Sequence, residues 1–277
     1  MPAIVASDLD RTLIYSAGAL MLDGTDAEAP LLTVAEVYNG APLSYLTRDA
    51  EDGLERLAER GVFVPVTTRT VAQYRRVRLP RAPHDWAVTT NGGVILHRGE
   101  PDADWTATVA ARLEHACAPL AEIEALVPRP GDHPAFLRLN HAEELFVYAI
   151  IDRANLPADE LSALTDACEA RGWTVSLQGR KLYLVPSPLT KSAAIAEIAA
   201  RTGADRVVAA GDSLLDLDLL RYADAAIRPA HGELHDAGIT LPHLEVTAAR
   251  GVMAGQEIVE RLVAAVDAPV VAAPVAP

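Results

Sequence analysis

Asp8 and Asp10, one residue apart at the end of the first apolar run (Ile4-Val5-Ala6-Ser7), constrain this chain more than any other feature. The run has no helical period and reads as a strand buried on both faces, as in a parallel α/β sheet. In extended backbone alternate side chains share a face, so Asp8 and Asp10 project together while Leu9 turns into the core. Ligands of open α/β sheets bind beyond the carboxyl ends of the strands, where a carboxylate pair is well placed for chemistry. The plainer alternative is an Asx-turn that only carries the chain off the strand. The rest of the sequence weighs against it.

The following elements alternate as such a sheet requires. Two alternating segments, Leu32–Tyr38 and 43–46, flank Asn39-Gly40, a strong hairpin signal. That hairpin is either a flap over the aspartates or an ordinary surface hairpin. Thr47 caps a helix that runs to Arg60 and is ended by Gly61. A second strand covers 62–66, where Pro65 removes a ladder hydrogen bond and predicts a local irregularity. Trp86–Thr89 is a third strand, turned by Asn91-Gly92-Gly93 into Val94–His97. Further on, Thr190 opens a helix over 191–201 that Gly203 stops, and Arg206–Ala210 is a strand ending in Gly211-Asp212-Ser213. A helix to Tyr222, a short strand over 225–227 and an amphipathic helix over 256–266 complete this part.

Between Pro101 and Pro186-Ser187-Pro188 the texture changes. A helix over 104–126, broken near Pro119, precedes strands at 136–140 and 144–151, a helix at 158–171, and a hairpin of Trp173–Gln178 with 181–185. Helix, two strands, helix, two strands is an α+β unit able to bury one face of its own sheet. The reading is a discontinuous α/β core over 1–100 and 186–267, an inserted domain over 101–185 and a disordered tail over 268–277.

Composition narrows the partners. A formal net charge of −14 over 277 residues opposes general binding to nucleic acid or anionic membranes, though not a small anionic substrate. There is no apolar stretch long enough to span a bilayer and no basic leader with a cleavage site, so the chain reads as cytoplasmic. Cys117 and Cys168 both fall in alanine-rich helical segments and read as reduced thiols, with neither a disulfide framework nor a metal site.

Asp8, Asp10, Thr67, Lys191 and Asp212 all stand where strands end or helices begin, and together they form a phosphoryl-transfer set. A carboxylate attacking a phosphate anion faces charge repulsion that a divalent cation must screen. Asp8, Asp212 and the backbone carbonyl of Asp10 offer hard oxygen ligands without a His/Cys cluster, which favours Mg²⁺ over zinc. Thr67 can donate a hydroxyl to a phosphate oxygen. Lys191 adds a point charge at a helix N-terminus, where the dipole already favours anions.

In these residues the chain resembles phosphatases of the haloacid dehalogenase superfamily. Asp8-Leu9-Asp10-Arg11-Thr12 matches that family's Asp-x-Asp-x-Thr motif, Val66-Thr67-Thr68-Arg69 resembles its second motif, Lys191 its third, and Gly211-Asp212-Ser213-Leu214-Leu215-Asp216 its fourth. The resemblance implies a Rossmann-like parallel-sheet core, an αββαββ C2-type cap, Mg²⁺ and a covalent aspartyl-phosphate, with Asp8 as nucleophile and Asp10 as acid and then base. The cap's position resembles the smaller C2 members, which include sugar-phosphate phosphatases. The implied activity is phosphomonoester hydrolysis of a small phosphorylated metabolite. A phosphomutase and a catalytically inactive binding or regulatory module are the alternatives.

Three departures stand out. Arg11 occupies a position where many C2 members carry glycine, Thr68 replaces the usual glycine of the second motif, and Leu215 replaces an asparagine before Asp216. Asp216 reads as part of the metal site, orienting its ligands, or as an acid in a helix's first turn. Arg69 either faces substrate or caps its strand end. Asn91 lies in a loop like the family's Asn-Gly turn beside the site, or is a plain turn residue. Arg138, His141, Arg180 and Lys181 are cap residues that read the leaving group or lie on a solvated surface.

Overall fold

The computed structural model describes residues 2–267, so the tail expected to be disordered lies outside the described residues. Five parallel strands form the main sheet in the spatial order Leu244–Val246, Ala225–Arg228, Arg206–Ala210, Ala3–Ser7, Val62–Pro65. Val5 of the second-from-edge strand stands level with Val208 on one side and Phe63 on the other. Ile4, Val5 and Ala6 are fully buried, as a strand between covered faces demands.

The two faces separate with period two. Ile4, Ala6, Val64, Val207 and Ala209 enter one apolar cluster, whereas Val5, Phe63, Val208 and Ala210 enter another. The second face is covered by the helices Arg48–Arg60, through Leu54 and Leu57, and Gly251–Asp267, through Ile258, Val259 and Leu262. Each such side chain contributes about 1.5–3 kcal/mol on burial. Those helices approach so closely at Gly53 that a Cβ there would lie 2.4 Å from Val259 Cγ1. Thr47 caps the first of them by accepting a hydrogen bond from the Ala50 N–H, as expected.

Pro65 does not disturb its strand. The register from Ile4↔Val62 to Ser7↔Pro65 is unbroken, correcting the expected irregularity. The Val66 N–H donates to Ser7 O and the Thr67 N–H to Val88 O, both at 2.8 Å. Backbone alternation therefore turns the missing Pro65 N–H away from Ala3–Ser7, to the side where pairing only begins at the Val66–Val88 bridge.

The expected hairpin is present: Leu32–Tyr38 and Ala41–Thr47 pair around Asn39 and Gly40, both at positive φ, and Tyr15–Ser16 joins them. Register shifts on either side of Glu36 bulge the strand and bury two consecutive residues, Ala35 and Glu36.

The inserted segment forms an antiparallel sheet in the order Trp173–Gln178, Lys181–Pro186, Phe146–Ile151, Phe136–Ala142, with the helices Ala103–Ala116, Leu120–Glu124 and Ala158–Glu169. The first helical stretch ends at Ala116, and Pro119 stands at the N-cap of the next. The apolar cluster on the Ile4 face runs without interruption into this cap through Trp105, Phe146 and Trp173. The strand Leu244–Val246 and the helix Glu233–Asp236 escaped the sequence reading because three or four residues carry no measurable period. The terminal helix begins at Gly251, ahead of the expected Gln256.

Two carboxylates hold cap and core together in opposite senses. Glu143, in a cap turn, accepts from Val71 N–H at 2.9 Å and Thr90 Oγ1 at 2.6 Å in the core. Glu233, in the core, accepts from Ser176 Oγ at 2.7 Å and Leu177 N–H at 3.0 Å in the cap, and from Leu214 N–H at 2.9 Å beside it.

Candidate active site

The chain leaves the first strand in a tight coil. Asp8 N–H donates to Ala210 O at 2.9 Å, and Leu13 and Ile14 both donate back to Leu9 O. The coil puts Arg11 at φ 64, a left-handed conformation that favours glycine and is uncommon for a residue with a side chain. His231 anchors it. Gly251 N–H donates to His231 Nδ1 at 3.2 Å, so Nε2 carries the proton and donates to Arg11 O at 3.0 Å. Burial lowers the His231 pKa to about 4.

A base depressed in the folded state contributes stability above its unfolded value near 6.5, and that contribution is lost as pH falls toward 4. The full contribution is about 3 kcal/mol. We expect the melting temperature of His231→Gln to fall less steeply than wild type between pH 6.5 and 4. Parallel curves for the two proteins would contradict this role.

Beyond the strand ends the carboxylates converge on one ammonium. Lys191, fully buried at the start of the helix Lys191–Thr202, donates to Asp8 Oδ1 at 2.7 Å and Asp216 Oδ1 at 2.5 Å. Thr190 caps that helix through Ala193 N–H. Asp216 Oδ2 accepts from Asp212 N–H, Ser213 N–H and Ser213 Oγ, so Asp216 braces both the lysine and the turn that presents Asp212. Gly232, at φ 90, packs against that turn so tightly that a Cβ would lie 2.7 Å from Asp212 O. Oxygen atoms of Asp8, Asp212 and Asp216 lie within 4.8 Å of one another.

Burial pushes the Asp8 carboxyl upward; Lys191 opposes the shift and Asp216 adds to it. Asp212 is raised by burial and then by Asp8 and Asp216. Lys191 is held charged by its two carboxylates against the opposing effect of burial. Arg11 Nε lies 3.5 Å from Asp212 Oδ2, yet three buried carboxylates against Lys191 and Arg11 still carry excess negative charge when ionised. A hard divalent cation would neutralise that excess, so the donor set fits such an ion.

Asp10 projects from the same coil as Asp8 but lies outside that cluster; its carboxylate is taken by Arg69. Arg69 Nε and Nη2 donate to Asp10 Oδ2 and Oδ1 at 2.7 and 2.8 Å, while Nη1 donates to Glu36 Oε2 at 2.8 Å. Burial would raise Asp10, but the Arg69 guanidinium overrides it and holds the carboxyl at about 2. Thr67 is fully buried, and its Oγ1 accepts from Arg69 N–H at 3.2 Å. Asn91 N–H donates to Thr67 O, and its side-chain Nδ2 donates to Leu189 O at 2.9 Å. Asn91 thereby ties the second-motif turn to the segment entering Lys191; its Oδ1 has no hydrogen-bond partner among the described residues.

A cleft of about 290 Å³ opens beside Asp212 between core residues Arg11, Gly232 and Glu233 and cap residues Arg153 and Gln178. Among the cap candidates, the charge of Lys181 acts on Asp10, whereas His141 pairs with Glu124 at 3.1 Å. Glu36 and His231 went unrecognised in the sequence.

No protein-family model matches the sequence, and no curated protein matches it. Solved structures do match. The sucrose-phosphatase from Synechocystis sp., solved with sucrose and phosphate, superposes with a TM-score of 0.63 at 15% identity, covering 94% of this chain and 98% of its own. The C-terminal domain of a trehalose-6-phosphate phosphatase from C. albicans gives 0.57 at 10% identity, over 95% and 93%. A sugar phosphatase of haloacid dehalogenase subclass IIB gives 0.52 at 14% identity, over 88% and 92%. The fold is therefore that of the haloacid dehalogenase phosphatases with a C2 cap, over nearly the whole chain.

Proposed function

We propose that the chain is a Mg²⁺-dependent phosphomonoesterase that cleaves a small phosphorylated metabolite, a sugar phosphate by preference, through an aspartyl-phosphate on Asp8. One observation carries this reading: at the carboxyl ends of the central strands, buried Lys191 bonds Asp8 at 2.7 Å beside Asp212 and Asp216. The structural neighbour solved with sucrose and phosphate supports a sugar as leaving group.

Asp8, Asp212 and the backbone carbonyl of Asp10 would hold the cation, with Asp216 orienting them. Bound there, the cation screens the phosphate's charge and favours ionised carboxylates. The Asp8 carboxylate attacks phosphorus as the bond to the leaving oxygen breaks, and Asp10 gives that oxygen a proton. Water then attacks the phosphorus of the acyl phosphate, Asp10 takes its proton, and inorganic phosphate departs from a regenerated Asp8. Thr67 and Lys191 hold the phosphate oxygens. Arg69 uses one lone pair on each Asp10 oxygen and leaves another for the travelling proton. The arriving phosphate's charge works against the depression of Asp10 by Arg69.

The decisive assay incubates the protein with Mg²⁺ and a broad panel of phosphorylated metabolites. We expect phosphate release on at least one sugar phosphate. Formation of an isomer without free phosphate would make the chain a mutase, and no conversion of any ester would overturn the reading.

A further inference from the structure

Glu36 is a fully buried carboxylate on the hairpin, distant in sequence from every motif residue. The bulge at this position turns it inward, where its two oxygens are divided between two arginines. Oε2 accepts from Arg69 Nη1 at 2.8 Å and Oε1 from Arg76 Nε at 2.9 Å. Arg76 in turn lies over the Tyr38 ring, with 4.7 Å from its guanidinium carbon to the ring centroid. An Arg78 N–H bond to Ala35 O at 2.7 Å and a backbone bridge between Glu36 and Val77 pin the hairpin at the same point. A buried charge with two charge-assisted bonds and no solvent contact is a fixed anchor.

The guanidinium of Arg69 is planar and rigid, so the bond to Glu36 fixes the plane in which its other edge meets Asp10. We infer that Glu36 is a positioning residue that holds Arg69 and, through it, sets the orientation of the Asp10 carboxylate toward the leaving group. This makes the hairpin part of the catalytic apparatus. The inference rests on the phosphatase reading above for its kinetic consequence, and on the hydrogen-bond chain alone for its structural one.

The two are tested separately. Formation of the aspartyl-phosphate from an alkyl phosphate needs a proton on the leaving oxygen, whereas p-nitrophenolate leaves without one. Since kcat/KM reports this first step, Glu36→Gln should lower it for alkyl phosphates about 10–100-fold more than for p-nitrophenyl phosphate. An equal loss on both substrates would reduce Glu36 to a structural part and overturn the inference. On an Arg69→Lys background, Glu36→Gln should add little further loss, because both act along one chain; full additivity would also count against it. If Glu36→Gln does not fold, Arg76→Gln, which loosens Glu36 by removing its partly exposed arginine partner, must show the same selective loss. Crystal structures of the folded variants give a readout independent of activity. We expect the two-armed Arg69–Asp10 pair to open, and an undisturbed pair would refute the inference even if wild type hydrolyses every ester. An inactive wild type with an opened pair in the variant would instead refute the phosphatase reading and leave the positioning chain standing.

Discussion

Asp8→Asn should purify as a folded protein and lose its turnover by at least ~10³-fold, the scale expected when a covalent catalyst is removed. The amide oxygen can still accept the Lys191 hydrogen bond made at 2.7 Å, so the buried cluster keeps its shape while the attacking carboxylate disappears. The substitution also removes one of the carboxylates crowded within 4.8 Å of one another, so in metal-free buffer the variant should melt no lower than wild type. The measurement pairs a thermal melt with phosphate release on the best substrate of the panel. A variant that retained a tenth of the wild-type rate would show that Asp8 is not the nucleophile.

The second large effect concerns the cation. Asp8 and Asp212 are both pushed toward protonation by burial; Asp216 adds to the rise at Asp8, and Asp8 and Asp216 add to it at Asp212. EDTA should therefore abolish turnover and excess Mg²⁺ restore it. Binding should also be visible without substrate: at 100-fold over its dissociation constant a ligand adds about 2.7 kcal/mol, roughly 5 °C in melting temperature for a chain this long. Asp212→Asn should lose most of that shift. Full activity in chelated buffer, or a Mg²⁺ shift indifferent to Asp212, would remove the cation from the mechanism.

The parts of the site legible in the sequence are those fixed by short-range geometry. Asp8 follows from the end of the first apolar run, and Lys191 and Asp212 from a capped helix start and a strand end. Asp10, by contrast, lies in the coil past that strand, where period two no longer holds, and sits apart from the Asp8 cluster. Glu36 was hidden because alternation along Leu32–Tyr38 assumes an unbroken ladder, and the bulge that buries both Ala35 and Glu36 leaves no mark in the pattern. His231 was hidden for a different reason. Its two partners, Arg11 and Gly251, are remote in the chain, and a single histidine in a loop carries no spacing. The sequence leaves Arg69 between two roles; only the fold shows that it faces Asp10. The continuous apolar cluster joining cap and core was likewise invisible, because linker-type prolines at 101 and 186 say where a boundary falls and nothing of how much surface crosses it.

The paired carboxylates Glu143 and Glu233 bear on tempo as well as shape. Glu143 and its neighbour Glu144 both sit at positive φ, 43° and 56°, strained for residues with side chains, and the bonds to Val71 and Thr90 help keep that turn in place. Separating the cap strips four core and cap donors of their carboxylate partners at once, while relaxing the turn returns part of that cost. The lid is in this sense a sprung latch: firm while shut, yet loaded toward release. Opening of the cap in the proposed cycle would have to break these bonds, so Glu143 and Glu233 would contribute to its barrier.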